Sequence, residues 1–72
     1  MTHSFNARIS QEHSENVMHL ALSLNVPSKN IVFQKDGCSF YSMKIFIHFD
    51  NDLSFNCFSE QIKEIPCILE KL

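Results

Sequence analysis

The hydrophobic residues of this chain alternate with polar residues in some segments and recur every three or four residues in others. This order of spacings constrains the fold more than any other feature. Alternation, as in Phe5, Ala7 and Ile9, predicts a strand with one buried face. Recurrence every three or four residues, as in Phe58 and Ile62, predicts a helix with one buried stripe. The sequence predicts four strands and two helices, with the strands near 3–9, 28–35, 39–49 and 66–71 and the helices near 11–24 and 52–65.

The residues between these segments have the properties of helix ends and turns. We expect Ser10 to cap the first helix with its hydroxyl and Asn25 to end that helix in the left-handed conformation. The only glycine, Gly37, follows an aspartate, and this pair predicts a hairpin turn. The polar side chains of residues 50–52 can cap the second helix, and Pro66 ends it.

The order β-α-β-β-α-β predicts an α+β fold, a ferredoxin-like sandwich. Two βαβ units joined by a hairpin give a four-stranded antiparallel sheet with both helices on one face. Right-handed crossovers place the first and third strands in the centre. The 72 residues make a single domain, 1–72. A chain of this length buries about 60% of its unfolded surface, so its core is marginal and association is expected to add stability.

The charge and composition exclude several classes of function. The net charge is −2 and no basic cluster is present, so nucleic-acid binding is not expected. No apolar run approaches the ~20 residues of a membrane span, and the first eight residues do not resemble a signal peptide. The three cysteines lack C-x-x-C spacing and are interpreted as small buried thiols in a reducing cytoplasm: Cys38, Cys57 and Cys67.

Catalytic and metal-binding patterns are not evident. The four histidines lack the spacing of a metal site, and we expect no cofactor. His13 and Glu12 are adjacent, and neighbouring side chains diverge on a helix. No cysteine has a base and an electropositive setting in its sequence neighbourhood. An enzyme acting alone is therefore not predicted.

The chain has more hydrophobic residues than the predicted core needs. Val32, Phe46, Ile68 and Leu72 are predicted to lie on the sheet face opposite the helices. They could be scattered surface residues, but an uncovered sheet face and an unguarded edge strand are typical of contact with another chain. The candidate interface residues are Val32, Phe33, Met18, Leu22 and Phe46.

Four segments resemble an ACT domain, a βαββαβ module of amino-acid metabolism: "FNARIS", "NIVFQ", "SMKIFIHF" and "EQIKEIPCILEKL". More narrowly, the chain resembles the small regulatory subunits of acetolactate (acetohydroxyacid) synthase. The resemblance implies a homodimer formed through edge strands, with an amino-acid effector at the turn between the first strand and first helix. The effector turn implied in this way contains Ser10, Gln11, Glu12, His13 and Ser14, faced by Asn30 and Ile31 of a second copy.

This turn departs from the pattern of effector-sensitive ACT domains. It contains no glycine, which in that family lets a ligand carboxylate approach backbone amides. Glu12 and Glu15 add negative charge where the carboxylate would lie. We therefore expect no tight binding of valine, leucine or isoleucine at residues 10–14.

The resemblance implies a non-catalytic regulatory or activating subunit in branched-chain amino-acid biosynthesis. The expected partner is the large catalytic subunit of acetolactate synthase, which would hold the thiamine diphosphate, magnesium and flavin. The first alternative is a free-standing ACT-like module that senses an amino acid or binds another protein. The second is a ferredoxin-like enzyme or metal carrier, which the Cys and His spacings disfavour.

Overall fold

The computed structural model describes residues 3–37 and 40–72 and has the predicted order of elements. The strands and helices are β1 (His3–Ser10), α1 (Ser14–Ser23), β2 (Ile31–Lys35), β3 (Ser42–Phe49), α2 (Asp52–Gln61) and β4 (Ile68–Lys71). Short 3-10 turns occupy Gln11–His13, Ser28–Asn30 and Ile62–Glu64. All strand pairs are antiparallel and the sheet order is β2-β3-β1-β4. The predicted ferredoxin-like fold, with the first and third strands in the centre, is confirmed.

The core lies between the helices and one face of the sheet. The register pairs Phe5 with Ile47 and Ala7 with Ile45, so alternate residues of the two central strands share the buried face. The ring of Phe58 on α2 packs on the sheet, with its centroid 5.0 Å from Phe5 and 5.1 Å from Phe49. Buried residues of α1, of α2 and of the 3-10 turn after α2 join this cluster: Val17, Ala21, Phe58 and Ile62.

The start of the first helix differs from the prediction. Strand β1 continues to Ser10, a 3-10 turn follows, and α1 begins only at Ser14. Ser10 stands at the N-cap of the turn, but its side chain makes no capping hydrogen bond. The predicted cap is therefore wrong, because Ser10 is still paired with Ser42 in the sheet.

The end of this helix agrees with the prediction. Asn25 has a φ of 66°, the left-handed conformation. The Asn25 N–H donates to the Leu22 carbonyl and the Val26 N–H to the Ala21 carbonyl, the two bonds of a Schellman motif. Val26 and Ala21 are both buried, so the turn after the helix is anchored in the core.

The second helix is capped as expected and ends earlier. The Asn51 side chain accepts a hydrogen bond from the Ser54 N–H at 2.7 Å. The α-helical part ends at Gln61, and its last turn tightens to 3-10 geometry before Pro66. The Ser54 hydroxyl donates to the Leu24 carbonyl, which joins the two helices at their ends.

Three strands, β2, β3 and β4, are shorter than predicted, and β4 begins only at Ile68. Residues 28–30 form a 3-10 turn instead of the start of β2, following Pro27. Phe40 and Tyr41 precede β3 and are not part of it. The expected hairpin turn is described only in part, because Cys38 and Ser39 lie outside the described residues. Asp36, the aspartate of the predicted hairpin turn, is buried.

One residue assigned to the open sheet face is on the other face. Ile68 pairs with Ile9 and packs against the core. Ile68 and Glu70 are two residues apart, so strict alternation would place their side chains on one face of the sheet. The register of β1 and β4 shifts between Arg8 and Ile9, so Glu70 lies opposite Arg8 while Ile68 lies opposite Ile9. Leu72 does lie opposite Asn6, to whose carbonyl its N–H donates.

Candidate functional site

The residues of the predicted effector turn are divided between the two ends of the sheet. Ser10 to Ser14 follow the end of β1, beside the start of β3. Asn30 and Ile31 lie at the other end, where Ile31 pairs with Ile47. Within one chain the two sets are separated by about 16 Å of strand, at about 3.3 Å per residue. They can meet only across a contact between two copies.

The backbone of the effector turn is occupied by other parts of the chain. The Ser10 N–H donates to the Cys67 carbonyl at 2.9 Å, and the Gln11 N–H donates to the Tyr41 carbonyl at 2.8 Å. The hydroxyl of Ser10 is buried and has no hydrogen-bond partner among the described residues. The turn thus has two engaged amides and one unsatisfied side-chain oxygen.

Two exposed aromatic residues lie beside this turn. Phe40 is 92% exposed and Tyr41 is 83% exposed. Together with Ser10, Gln11 and Glu12 they line a cleft of about 550 Å³, called here the turn cleft. The sequence assigned both aromatic residues to β3, so their exposure was not predicted. An aromatic pair followed by serine, directly after a hairpin turn, is the signal that could have indicated it.

A second cleft of about 610 Å³ adjoins the first and contains a buried carboxylate. Asp36 accepts a hydrogen bond from the Ser42 hydroxyl at 2.8 Å, and its Oδ2 lies 2.7 Å from Nε of Arg8. Arg8 also donates from Nη1 to Glu70. Arg8, on the central strand β1, therefore links Asp36, which follows the edge strand β2, to Glu70 on the other edge strand, β4.

The open face of the sheet is mostly polar, with an apolar patch across β2 and β3. Val32, which is 52% exposed, lies opposite the half-buried Phe46 across β2 and β3. The other candidate interface residues lie elsewhere. Phe33 points to the helix side and packs at the margin of the core, while Met18 and Leu22 are on α1.

The outer edge of β2 presents backbone groups to solvent. The Asn30 side chain donates to the His48 carbonyl, so the even residues of β3 direct their backbone groups toward β2. The β2 residues opposite them, such as Val32 opposite Phe46, therefore form backbone hydrogen bonds with β3. It follows that Phe33 and Lys35 direct their N–H and C=O groups away from β3.

The histidines and cysteines do not assemble a reactive centre among residues 3–37 and 40–72. His3 stacks on Phe55 and its Nε2 lies 2.6 Å from Asp52. No group of three metal-ligating side chains occurs in this part of the chain. Burial raises the pKa of the Cys67 thiol, an effect that a backbone hydrogen bond partly opposes. This keeps the thiol protonated at neutral pH.

Within the described residues, neither helix has the length and apolar character needed to span a bilayer. Comparison with protein-family models, curated proteins and solved structures gives no match for this chain.

Proposed function

We propose that this chain is a non-catalytic regulatory module that pairs with a second copy through β2 and acts by contact with another protein. The observation that carries the proposal is the outward-facing edge of β2. Its first three residues, Ile31, Val32 and Phe33, are apolar, and no proline or bulge interrupts it. Strand edges of this kind pair readily with other chains.

The edge favours one antiparallel register. With the two-fold axis at Phe33, each Phe33 pairs with Phe33 of the second copy, and Ile31 lies opposite Lys35. The Ile31 N–H already donates to the Ser28 carbonyl, but its carbonyl can accept from Lys35 of the second copy. This register forms about four backbone hydrogen bonds, each with a net value of about 0.5–1.5 kcal/mol. It also brings Asn30 of one copy beside Asp36 of the other.

The proposed partner is the large subunit of acetolactate synthase, in the cytoplasm. The resemblance of the chain to the small subunits of this enzyme supports that choice. The face of the sheet opposite the helices is the surface available to such a partner, since α1 and α2 cover the other. Its Val32–Phe46 patch adjoins the β2 edge, so the two copies in a pair would form one larger patch.

The experiment mixes the purified chain with a purified large subunit and measures acetolactate formation and co-elution. We expect activation and a stable complex. Val32→Lys should reduce both, because it places a charge in the apolar patch. Leu53→Lys is the matched control, since Leu53 is 74% exposed on α2, away from that patch. No activation and no co-elution with the unchanged chain would reject this partner.

A free-standing small-molecule sensor is the second candidate function. The turn cleft favours it, because exposed aromatic rings and a carboxylate border an open cleft of about 550 Å³. Binding of a small molecule by the isolated chain, without any effect on acetolactate synthase, would support this candidate over the first.

A further inference from the structure

We propose that the turn cleft binds an organic cation, a primary ammonium or guanidinium group carried on an apolar body. The site lies within one chain, so the inference does not depend on the pairing of two copies. It also differs from an amino-acid effector site, since the ligand carries no carboxylate. Its residues come from the end of β1, the 3-10 turn and the segment before β3: Ser10, Gln11, Glu12, Phe40 and Tyr41.

The aromatic side chains provide the first part of the argument. Phe40 and Tyr41 expose nearly their whole surface at one place, whereas the phenylalanines of the sheet and helices are buried or half-buried. The faces of aromatic rings attract cations and also contact aliphatic chains. A ring as exposed as that of Phe40 is therefore suited to a ligand with both properties.

The polar side chains provide the second part. The carboxylate of Glu12 is largely exposed, and the imidazole Nε2 of His13 lies 3.6 Å from it. The Ser10 hydroxyl is buried below the surface of the cleft, so Glu12 provides the accessible acceptor. An ammonium group can donate to its carboxylate oxygens. The Ser10 and Gln11 amides, which a ligand carboxylate would need, already donate to carbonyls.

The charge of the site therefore separates amines from amino acids. 3-Methylbutylamine has the side chain and ammonium group of leucine but lacks the carboxylate. Glu12 attracts the ammonium group of either ligand and repels the carboxylate of leucine. We expect leucine, valine and isoleucine to bind at least about tenfold more weakly than this amine, a difference of about 1.4 kcal/mol.

The test is a titration of the ¹⁵N-labelled chain followed by amide chemical shifts. We expect saturable shifts at residues 10–12 and 40–41 with 3-methylbutylamine, in the millimolar range. Glu12→Gln should weaken binding about two- to fivefold, the factor for one exposed ion pair. Phe40→Ala should weaken it by a similar factor, and its fold should persist because Phe40 is exposed. Glu15→Gln is the matched control, because it removes the same charge from an exposed residue outside the cleft, and it should bind normally.

A capped lysine, N-acetyl-lysine-methylamide, distinguishes the source of the cation. Binding as tight as that of the free amine indicates a peptide side chain, and much weaker binding indicates a free amine. Either result supports the cation site. Three results would overturn it: no saturable shifts at the cleft, leucine binding as tightly as the amine, or equal binding by the Glu12→Gln and Glu15→Gln variants.

Discussion

The two edges of the sheet differ in how much backbone they leave available. Strand β2 is five residues long, pairs regularly with β3 and has apolar residues in its interior. Strand β4 is four residues long, its register with β1 shifts, and it carries Glu70 and Lys71. Bulges, short length and charges are the features by which proteins prevent edge-to-edge pairing.

The difference indicates that one edge is protected and the other is suited to pairing. A chain with a marginal core gains most from an association that extends its sheet. Arg8 links the two edges internally, through Asp36 after β2 and Glu70 on β4. Changes at matched positions of the two edges can therefore test whether β2 alone mediates association.

The largest expected effect is on dimerisation. Lys35→Pro removes an N–H that points outward from β2 and should abolish dimerisation at micromolar concentrations, because each Lys35 N–H would otherwise donate across the two-fold axis. Lys71→Pro is the matched change on the other edge. The Leu72 N–H donates to Asn6 on β1, so the N–H of the preceding residue, Lys71, points away from the sheet. It should leave dimerisation unchanged. Sedimentation equilibrium measures both, and equal effects of the two variants would contradict the difference between the edges.

The next effect is on stability. Asp36→Ala should lower the free energy of unfolding by about 1.5–3 kcal/mol, because it removes a buried carboxylate that accepts a hydrogen bond from Ser42 and forms an ion pair with Arg8. The value is below that of a fully buried pair because the Arg8 side chain is 32% exposed. Glu70→Ala should cost about 0–1 kcal/mol, since the Glu70 side chain is 55% exposed.

Urea unfolding at one fixed protein concentration measures both changes, because dimerisation contributes to apparent stability. If Glu70→Ala costs as much as Asp36→Ala, the buried Asp36 is not the stronger partner of Arg8 and the interpretation is wrong.

The smallest effect concerns the thiol at the start of β4. Because burial raises the pKa of Cys67 above its ordinary value of 9.0, the folded chain holds this proton more tightly than the unfolded chain. The corresponding stability is fully present below pH about 9 and is lost as the pH rises through the folded pKa.

At pH 8 we therefore expect a thiol reagent to modify the half-buried Cys57 faster than the buried Cys67, with the sites assigned by mass spectrometry. In urea the two rates should become similar. Faster labelling of Cys67 in the folded chain would contradict its burial and raised pKa.

Much of the fold could be predicted from the sequence because the hydrophobic spacing and the end signals agree. The alternation around Phe5 and Ile47, the stripe through Phe58 and the left-handed Asn25 all give local evidence for the structure that forms. The position of Ile68 could not be predicted, because the register shift between β1 and β4 depends on tertiary pairing.

The site was harder to predict than the fold. Ser10 has the chemistry of a helix cap, but the sheet keeps it in β1, and its hydroxyl is left without a partner among the described residues. Phe40 and Tyr41 continue the apolar run of β3 in sequence, so only the structure reveals their exposure. Asp36 is buried and pairs with Arg8, a contact between residues distant in sequence that no local pattern indicates.

Pairing through β2 is the central claim, and the mass of the unchanged chain in solution tests it most directly. Sedimentation equilibrium over a range of micromolar concentrations should give an average mass that rises from 8.4 kDa for one chain toward twice that value. A single 8.4 kDa species throughout that range would contradict the claim.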